Sequence, residues 1–135
     1  MIGKEVGDIV DAQTPGGVKQ YVTFLRKGVV AVDAKTGKVL WRYAKTVDFG
    51  ANILTPVVYQ DKVFTAGSRS GGALLEITVD KGKVETKEIY FEKTLGSSIG
   101  GAVLVEGFLY GATTQGLYCV EFATGKEKWR EKSVG

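Results

Sequence analysis

Residues 28–42 read Gly28-Val-Val-Ala-Val-Asp-Ala-Lys-Thr-Gly-Lys-Val-Leu-Trp-Arg42, and residues 116–130 repeat the pattern as Gly116-Leu-Tyr-Cys-Val-Glu-Phe-Ala-Thr-Gly-Lys-Glu-Lys-Trp-Arg130. The two stretches align without gaps, and seven of the fifteen positions are identical. Their offset, 116 minus 28, is 88 residues or twice 44, which predicts a middle copy near Gly72. Residues 72–86 keep the apolar run and a Gly-Lys turn after one inserted residue, but they have no Trp. The sequence therefore predicts three units, at 1–46, 47–94 and 95–135.

Each unit predicts four short strands separated by turn residues. The predicted strands are 8–12, 19–25, 28–32 and 39–43 in the first unit, with a turn at 14–17; 56–60, 62–66, 73–78 and 84–90 in the second; and 102–106, 108–113, 116–122 and 127–132 in the third. No window sustains the spacing of an amphipathic helix. Four strands in a repeat of about 44 residues are typical of a β-propeller blade, whereas a β-sandwich gives no reason for the long repeat. The predicted fold is all-β, with three four-stranded antiparallel blades.

Composition excludes several functions before any site is sought. Lys and Arg number 18 against 15 Asp and Glu, so the net charge of +3 predicts neither a nucleic-acid partner nor an anionic membrane partner. The chain has no His, which excludes imidazole zinc sites and Ser-His or Cys-His nucleophile pairs. Its single Cys, Cys119, cannot form an internal disulfide and is predicted to be a buried, inert thiol. No stretch has the pattern of a signal peptide or a membrane span, so we expect no membrane insertion, and the compartment stays open.

The repeated run contains side chains that suit a tight turn followed by an outer strand. Asp33 ends a strand, where its carboxylate can accept hydrogen bonds from the N–H groups of the turn. Thr36 can satisfy another backbone group of the turn, and Gly37 stands where the hairpin needs a positive φ. Trp41 then lies on the outer strand, where its ring can pack across a blade interface and its N–H can bond a neighbouring main chain. The third unit offers the same set as Glu121, Thr124, Gly125 and Trp129.

The spacing Ala-x-Asp-x-x-Thr-Gly-Lys-x-x-Trp at 31–41 resembles the tryptophan-docking motif of the propellers that are similar to pyrroloquinoline quinone (PQQ) enzymes. These PQQ-like propellers are the quinoprotein alcohol dehydrogenases and their non-catalytic relatives. Residues 119–129 match the motif with Cys in place of Ala and Glu in place of Asp. The resemblance implies that the motif residues hold blades together and are not catalytic, and that relatives are often periplasmic or exported. It also implies, in the enzymes of the family, PQQ on the propeller axis with calcium, a carboxylate base and usually a vicinal disulfide.

Few residues remain as candidates for a ligand site. The single Cys cannot supply the disulfide, and no carboxylate cluster resembles an oxygen-rich calcium loop. Asp48 and Asn52, before the second unit's inner strand, are the best polar candidates at the propeller mouth. Residues 67–72 could hold an anion on backbone amides, although a plain hairpin is the favoured interpretation. Residues 96–101 lack the dinucleotide-binding spacing, and Ser97 and Ser98 stand where imidazoles are expected in exported relatives.

Two functions follow from these observations. The first is a non-catalytic PQQ-like propeller that acts as a binding or protein-interaction scaffold, with no catalytic, cofactor or metal residues. The alternative is a fragment or degenerate relative of a quinoprotein dehydrogenase that binds PQQ with calcium. Capture of a carbohydrate or peptide at the mouth is a third possibility.

Three blades make an incomplete propeller, because closed rings carry typically four to eight blades. An open arc would expose an apolar blade face at each end, more than soluble monomers usually tolerate. We therefore expect self-association, as a homodimer with six blades or a trimer with nine, unless the chain is part of a longer propeller. The dimer is favoured because two-fold symmetry is the commonest in oligomers. In this interpretation Trp129 docks on a first-unit strand of another copy.

Overall fold

The computed structural model describes residues 10–13, 18–49, 51–97 and 101–133. Within these ranges the chain forms twelve strands and one 3-10 turn at Lys93–Leu95. Sheet 1 contains β1 Val10–Gln13, β2 Lys19–Leu25, β3 Gly28–Asp33 and β4 Val39–Tyr43. Sheet 2 contains β5 Val57–Tyr59, β6 Lys62–Gly67, β7 Gly71–Asp80 and β8 Lys83–Glu92. Sheet 3 contains β9 Ala102–Val105, β10 Phe108–Thr113, β11 Gly116–Glu121 and β12 Glu127–Glu131. The start of the predicted first strand at residue 8 and the predicted turn at 14–17 lie outside the described residues.

Each sheet is an antiparallel meander in which strands pair in chain order. This is the strand order of a propeller blade, so the prediction of an all-β fold with three four-stranded antiparallel sheets is confirmed. Turns at 25–28, 67–71 and 113–116 lie at one end of the stack. The connectors that follow β4 and β8 leave from this same end, because the last strand of each sheet runs antiparallel to its third strand. We call this end the mouth.

The three sheets pack face to face and enclose two apolar layers. Alternate residues of a strand point to opposite faces, so each sheet contributes one set of residues to each neighbour. The layer between sheets 1 and 2 contains Val22, Phe24, Val29, Ala31, Trp41, Val63, Leu75 and Ile77. The layer between sheets 2 and 3 contains Leu54, Phe64, Ala66, Leu74, Leu95, Leu109, Tyr118, Val120 and Phe122. Sheet 2 is therefore covered on both faces, whereas sheets 1 and 3 each have one sheet neighbour within the described ranges.

The β7–β8 hairpin is longer than the sequence predicted. Strands were expected at 73–78 and 84–90, but β7 and β8 each run for ten residues. The reason is the turn, where Lys81 and Gly82 have φ values of 49° and 79°. Two consecutive positive φ values make a two-residue hairpin turn whose twist matches that of the strands. Pairing consequently continues to Asp80 and Lys83 beside the turn.

The middle copy also begins one residue earlier than predicted. Gly71, not Gly72, pairs across the turn as Gly28 and Gly116 do in the other sheets. All three have positive φ, at 145°, 111° and 131° in chain order. A Cβ at any of them would lie within 2.7 Å of a carbonyl oxygen at the end of the sheet's last strand. The structure therefore aligns the middle copy on Gly71 and not on Gly72, and the β6–β7 turn is one residue longer than its two counterparts.

Candidate functional site

The motif turn of sheet 1 has the hydrogen bonds that the sequence predicted. Asp33 Oδ1 accepts from the N–H groups of Lys35, at 2.7 Å, and Thr36, at 3.1 Å. These N–H donors hold the pKa of the Asp33 carboxyl below its usual value. Thr36 Oγ1 accepts from the Lys38 N–H, and Gly37 has a φ of 73°. The turn is thus closed by its own side chains.

The motif turn of sheet 3 has Glu121 where the turn of sheet 1 has Asp33. Glu121 has one more methylene than Asp33, and its Oε2 accepts from the Thr124 hydroxyl at 2.9 Å. The remaining geometry is the same, since Gly125 donates its N–H to the Glu121 carbonyl and has a φ of 74°. Asp33 and Glu121 lie in different sheets, and the structure does not bring them together as a carboxylate pair.

An aromatic residue occupies the same ladder position in all three sheets. This residue lies on the last strand and pairs with the third-strand residue that directly precedes a β-bulge. The pairs are Trp41 with Ala31, Tyr90 with Leu74, and Trp129 with Cys119. Sequence reasoning missed Tyr90 because the middle unit has no Trp, and the aromatic pair at residues 90–91 was the only signal available.

Trp41 is buried between sheets 1 and 2, with only 7% of its surface exposed. Its Nε1–H donates to Oε1 of Gln20, which is fully buried, at 2.8 Å. The predicted main-chain acceptor is therefore wrong for this Trp, whose partner is a side chain of its own sheet. Among the described residues, the Gln20 Nε2 group is a buried polar group without a hydrogen-bond partner.

Tyr90 contacts the motif turn of the next sheet. Its hydroxyl donates to the carbonyl of Phe122 at 2.9 Å. A Cβ built on Gly125 would lie 3.0 Å from two carbons of the Tyr90 ring, so the ring packs flat against the bare glycine. Burial raises the pKa of Tyr90, with smaller contributions from Tyr118 and Glu92.

Trp129 has no sheet beside it, and 42% of its surface is exposed. Its ring packs on Tyr110, with the two centroids 6.1 Å apart. Cys119 lies beneath and is buried, as predicted. Desolvation and a hydrogen bond with Cys119 raise the pKa of Tyr110. The exposed apolar residues on this side of sheet 3, which we call the end face, are Val103, Val105, Tyr110, Leu117 and Trp129.

The polar candidates at the mouth hold the connector between sheets 1 and 2 in place. Asn52 Oδ1 accepts from the Asp48 N–H at 2.9 Å, and Asn52 Nδ2 donates to the carbonyls of Leu25 and Arg26. Asp48 Oδ2 accepts from the Arg69 N–H at 2.6 Å. The hairpin at 67–72 does bind an anionic group on a backbone amide, but that group is the chain's own Asp48.

Phe49 lies in the same connector and is fully exposed. Two hollows open on either side of it, with volumes of about 580 and 640 Å³. Val47, Asp48 and Phe49 line both hollows, Arg26 lines one, and Arg69 the other. Ser97 lines the edge of the hollow on the Arg69 side, whereas Ser98 lies outside the described residues. No sequence pattern predicted that this ring would be exposed.

The oxygen donors at the mouth do not fit a quinone held by calcium. Calcium takes six to eight oxygen ligands, typically from several carboxylates and carbonyls. Of the residues that the structure describes, Asp48 is the one carboxylate that lines the two hollows, and its Oδ2 already accepts from the Arg69 N–H. In the part of the chain that the structure describes, no three His, Cys, Asp or Glu side chains form a group that could hold a metal. No helix within the same ranges is long and apolar enough to cross a membrane.

Three four-stranded sheets with a repeated aromatic position, two of them with a Thr-Gly turn, define a β-propeller module of the PQQ-repeat class. Residues 6–131 match the PQQ_2 family model, described as outer membrane protein assembly factor BamB. The match spans nearly the whole sequence, and the chain belongs to this family. None of the curated proteins compared matches it.

Proposed function

We propose that this chain is a non-catalytic propeller module that acts as a protein-interaction scaffold, and that a second copy completes its ring. The end face of sheet 3 is the observation that supports the proposal. Sheets 1 and 2 bury the corresponding ladder positions against the next sheet, whereas sheet 3 leaves them in solvent. Two copies with three sheets each would give a six-bladed ring, within the usual range for propellers.

The internal contact of Tyr90 supplies a template for the contact between copies. Tyr90 covers Gly125 of the next sheet, whereas no described residue lies within 4 Å of a Cβ built on Gly37. Gly37 has the same turn conformation as Gly125, with φ values of 73° and 74°. In the proposed ring Trp129 covers Gly37 of the second copy, as Tyr90 covers Gly125 within the chain.

The same template supplies a hydrogen-bond partner for Trp129. Among the described residues, no group accepts a hydrogen bond from its Nε1–H. In the template the Tyr90 hydroxyl donates to the Phe122 carbonyl, whose counterpart in the first motif is the carbonyl of Ala34. Aromatic anchors of this kind dominate the binding energy of many interfaces. A two-copy ring would bury two identical contacts of this kind.

Light scattering coupled to size-exclusion chromatography tests ring completion. We expect the wild type to have twice the mass of one chain at micromolar concentration, and Trp129→Lys to have the mass of one chain. Ile89→Lys is the matched control, because Ile89 is an exposed apolar residue on β8 and not on the end face. A monomeric wild type, or a Trp129→Lys variant that remains a dimer, would refute the proposal.

Titration with PQQ and calcium distinguishes the scaffold from the alternative, a degenerate quinoprotein dehydrogenase. The donor chemistry at the mouth supports the scaffold, since Asp48 and Asn52 are engaged with backbone groups. We expect no change in quinone absorbance and no rise in melting temperature at saturating concentrations. A calcium-dependent rise in melting temperature would instead favour the quinone-binding function.

A further inference from the structure

The connector between sheets 1 and 2 makes hydrogen bonds before and after an aromatic ring that it presents to solvent. Three of its residues are tied to neighbouring strands or turns, namely Thr46, Asp48 and Asn52. Leu54 anchors its end in the apolar layer between sheets 2 and 3. Phe49 lies between these fixed points and packs on nothing that would keep it from water. Phe49 is thus a large apolar ring in an exposed position, and exposed apolar residues mark an interaction site where they join into a patch.

Other apolar side chains extend the surface on which Phe49 lies. Leu25 is 52% exposed on the hollow shared with Arg26, and Ile53 is 42% exposed on the hollow shared with Arg69. We call Leu25, Arg26, Phe49, Ile53 and Arg69 the mouth surface. Its hollows have the volume of ligand pockets but are open to solvent on either side of the ring. This shape suits an extended segment that passes over Phe49 better than an enclosed small molecule.

The charged residues of the mouth surface indicate which kind of ligand it binds. In the part of the chain that the structure describes, neither Arg26 nor Arg69 makes an ion pair. Among the described lining residues Asp48 is the one carboxylate, and its Oδ2 accepts from the Arg69 main chain, so both guanidinium groups are available to a ligand. Guanidinium groups bind carboxylates through paired hydrogen bonds. Two such groups are too few for nucleic acid, which is bound through many phosphate contacts.

We propose that the mouth surface binds an extended protein segment in which an aromatic side chain is flanked by carboxylates. The aromatic side chain packs on Phe49, and the carboxylates pair with Arg26 and Arg69. This partner assignment rests on the scaffold role proposed above, and it specifies the kind of protein segment that the scaffold binds.

Fluorescence anisotropy with a labelled hexapeptide of alternating Glu and Phe tests the assignment on the full chain. We expect saturable binding that weakens with added salt, and no binding of matched peptides with Lys for Glu or Ala for Phe. Phe49→Ala should raise the dissociation constant at least about tenfold, which corresponds to losing the burial of one Phe side chain. Arg26→Gln and Arg69→Gln should each raise it about threefold to tenfold. Ile89→Ala and Arg42→Gln, both changes of exposed residues on outer strands, are the matched controls and should bind as the wild type does.

Several results would overturn the assignment. These are failure of the Glu–Phe peptide to bind, equal binding of the Lys–Phe peptide, or equal losses in the Phe49→Ala and Ile89→Ala variants. Binding to phosphatidylglycerol vesicles without peptide binding would also overturn it, in favour of a membrane surface. If the Glu–Phe peptide does not bind, but the protein is a dimer and does not bind the quinone, then the partner assignment is wrong and the scaffold proposal stands. Calcium-dependent quinone binding would instead refute the scaffold itself.

Discussion

Gly37 and Gly125 form a natural pair for measuring how much an aromatic ring contributes when it covers a motif turn. Both have the same φ to within a degree, so an Ala at either position meets the same backbone strain of about 1–2 kcal/mol. Only Gly125 is covered, with ring carbons of Tyr90 at 3.0, 3.0 and 3.2 Å from the added Cβ. Ordinary contacts begin near 3.4 Å, so the ring or the turn must move by a few tenths of an ångström. Overpacking of this kind costs about 1–3 kcal/mol.

We therefore predict that Gly37→Ala lowers the free energy of unfolding by about 1–2 kcal/mol and Gly125→Ala by about 2–5 kcal/mol. Urea denaturation followed by tryptophan fluorescence measures both. The protein is kept dilute enough to be monomeric, which is verified by light scattering, so that Gly37 stays uncovered. At concentrations where the proposed dimer forms, Gly37→Ala should in addition weaken association, because in the proposed ring the added methyl group meets Trp129 of the second copy.

The Tyr90→Ala background separates ring contact from backbone strain. Without the ring, the cost of Gly125→Ala should fall to that of Gly37→Ala, because residues in direct contact have non-additive effects. Equal costs for the two glycines in the wild-type background would refute the reasoning. So would an excess cost at Gly125 that persists after Tyr90 is removed.

Three further predictions concern the same contacts. Trp41→Phe should lower the free energy of unfolding by about 1–3 kcal/mol in urea denaturation, because the buried Oε1 atom of Gln20 then loses the Trp41 N–H that donates to it. Tyr90→Phe should cost about 0.5–1.5 kcal/mol in the same assay, since it removes only the hydroxyl bonded to the Phe122 carbonyl; no loss would mean that this bond contributes nothing. The pKa of Asp33 is lower in the folded state than its ordinary value of 3.8. The ionised carboxylate therefore stabilises the fold above pH 3.8, and this contribution is lost as the pH falls through the folded-state pKa. The stability difference between wild type and Asp33→Asn should accordingly shrink below about pH 3.8, as followed by thermal melting from pH 2 to 7.

The strands of the outer units were predictable because their signals are local. In β2 the buried residues alternate with half-buried ones, and β10 begins directly after a Gly turn. The turn around Asp33 was predictable in detail for the same reason, since a carboxylate two or three residues before an N–H group can reach it without help from the rest of the fold.

The contacts between sheets were not predictable, because they depend on register. The role of Tyr90 follows from a bulge that shifts the pairing by one residue, and no Trp marks its position in the sequence. Gln20 reaches Trp41 from twenty-one residues away, and Asn52 reaches a turn twenty-seven residues earlier. The exposure of Phe49 depends in turn on where those bonds hold the connector.

Sheets 1 and 2 each present the same ladder positions to the sheet that follows, so all the sheets face in one direction along the stack. Its two ends are different surfaces, so copies that use this contact can add only head to tail. Such growth closes into a ring when the arc of one chain is a whole fraction of a turn, a half for two copies or a third for three, and otherwise it continues as a helical filament. The connectors at 44–56 and 93–101 join neighbouring sheets and so control this angle. An insertion in either connector is consequently the kind of change that would convert the proposed closed ring into a fibre.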